Sequence, residues 1–296
     1  MAEPWQEEFL DEQRLPSAYL DTAARFFDPL VERLRRAHAN APGTLSVALN
    51  GSQGSGKSTL CAYLRAALAE RHSLSCLDLS LDDFYLTRAE RESLGARVHP
   101  LLQTRGVPGT HDVALLHDTL AALRCSDSGV VAVPRFDKAN DDRAPQAAWT
   151  HVEAPVAVVL LEGWCLGARA VEGAALREPL NDLERNEDPQ GIWRRYVNRS
   201  LREVYEPLYD DFDLWLMLAA PGFEQVLAWR RQQEDKLRAA TGGQGAALMS
   251  DAELGRFVAH FERLTRQCLA ALPDRVDVLL RLDARRRIIA TRGLEG

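Results

Sequence analysis

Cysteine pairs, a basic excess, a leader-like opening pattern and long apolar runs are all missing from this sequence, and each absence counts against a class of function. The five cysteines (Cys61, Cys76, Cys125, Cys165, Cys268) are scattered, odd in number and contain no C-x-x-C pair. That spacing argues against a disulfide framework or a structural zinc site and predicts free thiols in a reducing compartment. The opening stretch MAEPWQEEFLDEQ is acidic and has no apolar core, the pattern of neither a secretory signal nor a transit peptide. No apolar run approaches the length that spans a bilayer. A formal net charge of −7 provides no general basic face for a nucleic-acid backbone. Internal repeats, low-complexity tracts and an N-K-x-D guanine-specificity motif are absent as well. The expectation is a cytoplasmic protein without nucleic-acid or membrane partners, with monomer and homodimer both open.

What is present suits a soluble α/β protein: 296 residues, 46% hydrophobic and 27% charged, enough for an ample core. Its organising stretch is LSVALNGSQGSGKSTL, Leu45 to Leu60. Val47, Ala48 and Leu49 predict a buried strand. Gly51, Ser52, Gln53, Gly54, Ser55, Gly56, Lys57 and Ser58 then fill the phosphate-loop pattern G-x-x-x-x-G-K-[ST]. The glycines let backbone N–H groups close around an anion, and the helix opening at Thr59 aims its positive dipole end at the same place. Lys57 is predicted to reach the terminal phosphates, and Ser58 to join a Mg²⁺ shell. Residues Gly51 to Thr59 are therefore the candidate nucleotide site, with ATP and Mg²⁺ as the implied cofactors.

Around this loop the chain reads as strands alternating with helices, which predicts a mostly parallel sheet with helices on both faces. Residues 1–42 are read as a helical extension, with apolar residues from Leu20 to Leu34 at helical spacing, and residues 43–296 as one domain built around the phosphate loop. A second strand, His72 to Leu81, delivers Asp82, Asp83 and Tyr85 to its carboxyl end, where open parallel sheets bind ligands. A loop dense in Gly, Pro, Arg and His follows, containing Arg105 and His111. Val130 to Val133 is read as a strand feeding the mixed-charge loop with Lys138 and Arg143. Val156 to Leu161 is the strongest buried-strand signal, and it ends in Glu162, placed to hold Mg²⁺ directly or through water. Further on come a helix from Trp193 to Tyr209, a strand from Asp213 to Ala219 and a helix from Phe223 to Arg238. A flexible stretch at Thr241 to Gly245, a helix from Ser250 to Ala271 and a last strand from Val276 to Leu282 complete the reading. The solitary acid at 162 fits a small-molecule kinase better than a mechanical ATPase.

Together, GSQGSGKSTL, SLDDFYLT, TRGVPGTHD, PRFDKANDDR, LEGW and WRRQQE resemble the glycerate 3-kinase group of plants, fungi and bacteria. That group is similar to the phosphoribulokinase, uridine kinase and pantothenate kinase superfamily, and the resemblance runs from about residue 45 to 285. It implies a P-loop kinase fold and transfer of the γ-phosphoryl group of ATP to a hydroxyl, with D-glycerate giving 3-phosphoglycerate as the acceptor of the plant members. By the same resemblance Asp82 is the candidate base for the acceptor hydroxyl and a further Mg²⁺ ligand, Asp83 is its reserve, and Glu162 is a Mg²⁺ or water ligand. An anionic acceptor calls for a bidentate cation, with Arg105 and Arg143 as the candidates. Tyr85, Lys138 and His111 complete the substrate set, and arginines of the 194–202 helix are candidates for a lid. The rival readings are a nucleoside, pantothenate or other hydroxy acceptor, a GTP-dependent switch or metallochaperone, and a nucleic-acid-dependent ATPase.

Overall fold

In a computed structural model, residues 2–127, 129–240 and 249–294 are described. The glycine-rich stretch from Thr241 to Gly245 lies outside them. The chain begins with helices α1 (Pro4–Gln13) and α2 (Asp28–Asn40), then β1 (Leu45–Gly51), α3 (Lys57–His72) and β2 (Cys76–Ser80). Helices α4 (Arg88–Arg97) and α5 (Val113–Arg124) lead to β3 (Val130–Val133), β4 (Thr150–Glu153) and β5 (Val158–Gly163). Next come α6 (Ile192–Ser200), β6 (Leu214–Ala219), α7 (Phe223–Ala240) and α8 (Asp251–Ala271). The chain closes with β7 (Val278–Leu282) and β8 (Ile288–Arg292).

Six strands form the main sheet in the order β2-β5-β1-β6-β7-β8. All neighbours are parallel except β8, which returns antiparallel to β7. β1 lies in the interior and is buried along its whole length, so its residues alternate between two cores. Val47 and Leu49 join the cluster under α1–α3, whereas Ala48 joins the one under α5 and α8. After β1 the chain skips one position to β2, and later fills the gap with β5 and adds β6 on β1's other side. The carboxyl end of β1 is therefore a switch point of the topology, the place where such sheets bind ligands.

The extension at residues 1–42 packs on α3, the helix that the phosphate loop opens into. Trp5, Phe9 and Phe27 surround the Tyr63 ring at centroid distances of 5.3, 5.2 and 5.5 Å. Asp28 receives the Tyr63 hydroxyl at 2.6 Å and Arg71 at 2.7 Å. No helix among the described residues is long and apolar enough to cross a membrane.

Four sequence expectations differ in detail. The Leu20–Leu34 periodicity lies in one continuous helical run from Tyr19 to Asn40, as expected, but a π-helical turn at Ala23–Phe27 is inserted ahead of α2. The expected Trp193–Tyr209 helix is likewise continuous but carries a π-helical turn, Leu201–Tyr205, between Ser200 and Glu206. Each π turn closes two residues before a proline, Pro29 or Pro207, which has no N–H to continue the ordinary ladder. β3 does not join the main sheet but pairs only with β4. Its side chains alternate between exposed and buried, with Val130 60% exposed, so only one face packs on the body. Finally, β8 extends the sheet beyond the last expected strand; it is largely exposed, and its three apolar residues, directly after Arg285–Arg287, are too short a run to stand out in an apolar-run reading.

Candidate active site

The phosphate loop leaves β1 at Gly51 and enters α3 through Gly56, whose φ of +96° is the left-handed region open to glycine. A Cβ on Gly51 would meet Ser55 Oγ at 2.7 Å and Lys57 Cγ at 2.9 Å, so the loop folds tightly over the lysine stem. Ser52 Oγ, Gln53 Oε1 and Ser55 Oγ are buried without a hydrogen-bond partner. Buried orphans of this kind are costly, and three of them in one loop fit a cradle built to be completed by a polar ligand. Lys57 Nζ donates to the Ser52 carbonyl at 3.3 Å and lies 3.5 Å from Glu162. Thr59 faces the other way, with its hydroxyl donating to Gln13 of α1 at 3.4 Å.

Glu162, near the tip of β5, accepts from Ser58 Oγ at 3.1 Å and from Ser80 Oγ at 3.3 Å. Hard oxygen donors from the loop, β2 and β5 thus meet at one point. No cluster of three or more His, Cys, Asp or Glu that could enclose a metal occurs among the described residues. That donor set fits Mg²⁺, which keeps several waters and is held by one or two protein oxygens together with substrate phosphates.

β2 runs into a tight 3₁₀ turn, Leu81–Phe84, that separates the two neighbouring aspartates. Asp82 accepts from the Tyr85 hydroxyl at 2.9 Å on one oxygen and from Lys138 Nζ at 2.9 Å on the other. Asp83 is turned to the opposite side, holding Arg135 Nη1 at 2.9 Å and the Phe136 backbone N–H at 3.1 Å. Burial raises the Asp82 pKa, but the Lys138 ammonium, the Tyr85 hydroxyl and His111 outweigh it, and the carboxyl titrates below its ordinary range. Burial, reinforced by the Asp82 charge, pushes the Tyr85 hydroxyl well above its usual value, so it stays a donor.

Lys57, Ser58, Asp82, Tyr85, Lys138 and Glu162 line one cleft of about 370 Å³, together with Gln53, Gly54 and Arg105. Arg105 pairs with Asp141, lies 5.4 Å over the Phe136 ring, and is backed by the buried Arg91, which is 3.1 Å from the same Asp141 oxygen. Arg143 and His111 do not line the cleft. Arg143 braces the wall from behind, donating to the Tyr85 carbonyl at 3.1 Å and to Asp112 at 2.9 Å. The His111 ring stacks on Tyr85 at 4.5 Å and its Nδ1 meets the Tyr205 hydroxyl at 2.6 Å. Burial brings the His111 pKa down to about 4, so the ring is neutral at pH 7.

The cleft also receives Trp164, Arg230, Phe257 and Phe261, which the sequence did not single out as site residues. Trp164 follows Glu162 within LEGW, and Arg230 lies in the WRRQQE helix. Phe257 and Phe261 are one turn apart on α8, where they read simply as a core stripe. None of the arginines on the 194–202 helix reaches the cleft. Arg194, 4% exposed, is instead held by Asp188 at 3.0 Å and by the Leu176 and Arg177 carbonyls at 2.6 and 3.0 Å.

No protein-family model matches the chain. Among curated proteins it is 34% identical over 221 residues to "Uncharacterized kinase mug58" of Schizosaccharomyces pombe, covering 72% of this chain and 76% of that one. It is 33% identical over 226 residues to the chloroplastic D-glycerate 3-kinase of Arabidopsis thaliana, covering 73% of this chain but 46% of the plant protein. The solved structure of D-glycerate 3-kinase from Cryptococcus neoformans var. grubii superposes with a TM-score of 0.73 at 26% identity, covering 90% of this chain and 96% of that one. Likeness over these shares of both chains, in sequence and in structure, places the chain in the glycerate 3-kinase family of P-loop kinases: it belongs to that family and is a phosphotransferase with an alcohol acceptor.

Proposed function

We propose that the protein transfers the γ-phosphoryl group of ATP to D-glycerate, forming 3-phosphoglycerate. The observation that carries this reading is the charge of the cleft. In a chain of net charge −7, Lys57, Arg105, Lys138 and Arg230 share one cleft with two carboxylates among the described residues, Asp82 and Glu162. Such a lining suits two anionic substrates together, a nucleotide and a small carboxylate. A neutral nucleoside carries no carboxylate for Arg105 or Lys138 to take up in exchange for their present partners, Asp141 and Asp82.

In this reading the loop amides and Lys57 hold the outer phosphates, and Ser58 and Glu162 hold Mg²⁺, which when bound neutralises charge on the transferring group. Asp82 orients the acceptor hydroxyl and takes its proton as the new O–P bond forms. A carboxylate with a depressed pKa is a weak base. That suffices where the transition state is loose and the proton leaves late, so that positioning outweighs base strength. Lys138, now paired with Asp82, is placed to turn to the arriving anion. Arg105 is the fork for the acceptor carboxylate.

A coupled ADP-release assay against a panel of hydroxy acids and nucleosides, with the product identified by ³¹P NMR, tests the reading. Preference for a nucleoside or for pantothenate would refute it. Arg105→Ala is expected to raise the KM for glycerate about 10- to 100-fold, the worth of a lost charge-assisted pair, while the KM for ATP changes little. Parallel rises in both constants would place Arg105 outside the acceptor site.

Tyr85→Phe tests the environment of Asp82. The folded-state pKa of Asp82 is depressed, so its ionised form is favoured above that pKa, and the stability this gives is lost as pH falls through it. Removing the Tyr85 hydroxyl deletes one donor while burial still pushes the pKa upward. The acid limb of kcat/KM should therefore move to higher pH, with little change at pH 7. An unmoved limb would mean that Asp82 does not govern it.

A further inference from the structure

Far from the loop in sequence, the turn between β7 and β8 touches its backbone. Arg286 Nε donates to the Gly54 carbonyl at 2.6 Å, across 232 residues of chain. The same guanidinium lies 5.0 Å over the ring of Trp229 and donates through Nη1 to Gln232 at 3.1 Å, so one side chain ties the phosphate loop to α7. The turn that presents it is itself built. Asp283 accepts the backbone N–H groups of Arg285 and Arg287 at 2.8 and 2.9 Å. Trp229, fully buried, donates its indole N–H to the Ala284 carbonyl at 2.9 Å. Arg286 has a φ of +63°, a conformation that costs a residue with a Cβ about 1 kcal/mol and that glycine adopts freely. An arginine is thus held in a glycine conformation with its head on the phosphate loop.

From this geometry we infer that Arg286 is a positioning residue for the phosphate cradle. In a trans peptide the C=O and the next N–H point in opposite directions. Anchoring the Gly54 carbonyl toward Arg286 therefore turns the Ser55 N–H back into the loop, where it meets the Ser52 carbonyl at 3.2 Å. The positive charge on the carbonyl also polarises that peptide and strengthens its N–H as a donor. Arg286 acts on the grip for phosphate through Gly54, without contact with the acceptor. The inference rests on the reading of Gly51 to Ser58 as a phosphate site.

The test is calorimetric titration of the full chain with Mg-ATP and with Mg-tripolyphosphate, which has the phosphates but no base or sugar. Arg286→Ala and Arg286→Gly are compared with the parent. Both lose the same hydrogen bond, but glycine also relieves the strained φ, so its melting temperature should fall less. Both variants are expected to bind both ligands about tenfold more weakly, with kcat at saturating ATP and the KM for the acceptor within about twofold of the parent. Affinity for either ligand unchanged in both variants overturns the proposal. A loss confined to ATP would make Arg286 a contact to the nucleoside and also overturns it. So does a loss that tracks melting temperature, larger in alanine than in glycine, which would mark a merely structural role. A parent chain that does not bind tripolyphosphate removes the phosphate-loop reading itself, and the proposal with it.

Discussion

Lys57→Ala should reduce kcat/KM for ATP by on the order of 10²- to 10³-fold, the cost of removing a preorganised positive donor from a site where charge moves. The lysine side chain is 11% exposed and its ammonium lies 3.5 Å from Glu162, so its charge acts where water screens poorly. Without it, Glu162 keeps its two hydroxyl donors, Ser58 and Ser80, but loses its cation. Weakened ATP binding should accompany the loss of rate. Lys57→Arg is not expected to restore activity. The lysine stem runs where a Cβ on Gly51 would lie within 2.9 Å, and a planar fork does not fit that channel as a slim ammonium does. An alanine variant retaining more than about a tenth of parental kcat/KM would remove Lys57 from the chemistry.

Asp82→Asn should reduce kcat by about 10²-fold or more while Mg-ATP binds as it does to the parent. Asparagine preserves the shape of the side chain and an oxygen for Tyr85, so the change is one of charge and basicity. The contrast with Asp83 makes the test specific. Asp83 holds Arg135 and the Phe136 backbone, both outside the cleft lining. Asp83→Asn should therefore lower thermal stability far more than turnover at permissive temperature. If the two variants exchange these phenotypes, the base is Asp83.

Much of this site could be read from the chain because its parts are local. A phosphate loop is a strand, a few residues of permissive backbone and a helix start, and each is specified by residues close in sequence. Val47 to Leu49 must be buried, Gly56 must adopt a positive φ, and Lys57 must follow immediately. The same holds for Glu162, which lies at the end of an apolar strand whatever its neighbours are. The resemblance carried the rest of the way to an alcohol-directed kinase, and the relatives agree with it.

Other features depend on contacts between distant segments. Asp82 and Asp83 are neighbours in a 3₁₀ turn, so their side chains must diverge by about 120°, but which one faces the cleft depends on where Tyr85, Lys138 and Arg135 arrive. Arg105 and Arg143 are both arginines in polar loops. One stands on the cleft wall and the other braces its back, and nothing in their immediate sequence separates them. Phe257 and Phe261 carry the pattern of any buried helix face. The two proline-linked π turns and the exposed strand β8 likewise escape an apolar-period reading. By itself the sequence determined the phosphate loop, the alternation of strands and helices and the family, because backbone freedom and apolar periodicity act over a few residues. Only the tertiary structure decided which carboxylate and which arginine face the cleft, and that Arg286 reaches the loop from the far end of the chain, because a side chain's orientation is set by what packs against it.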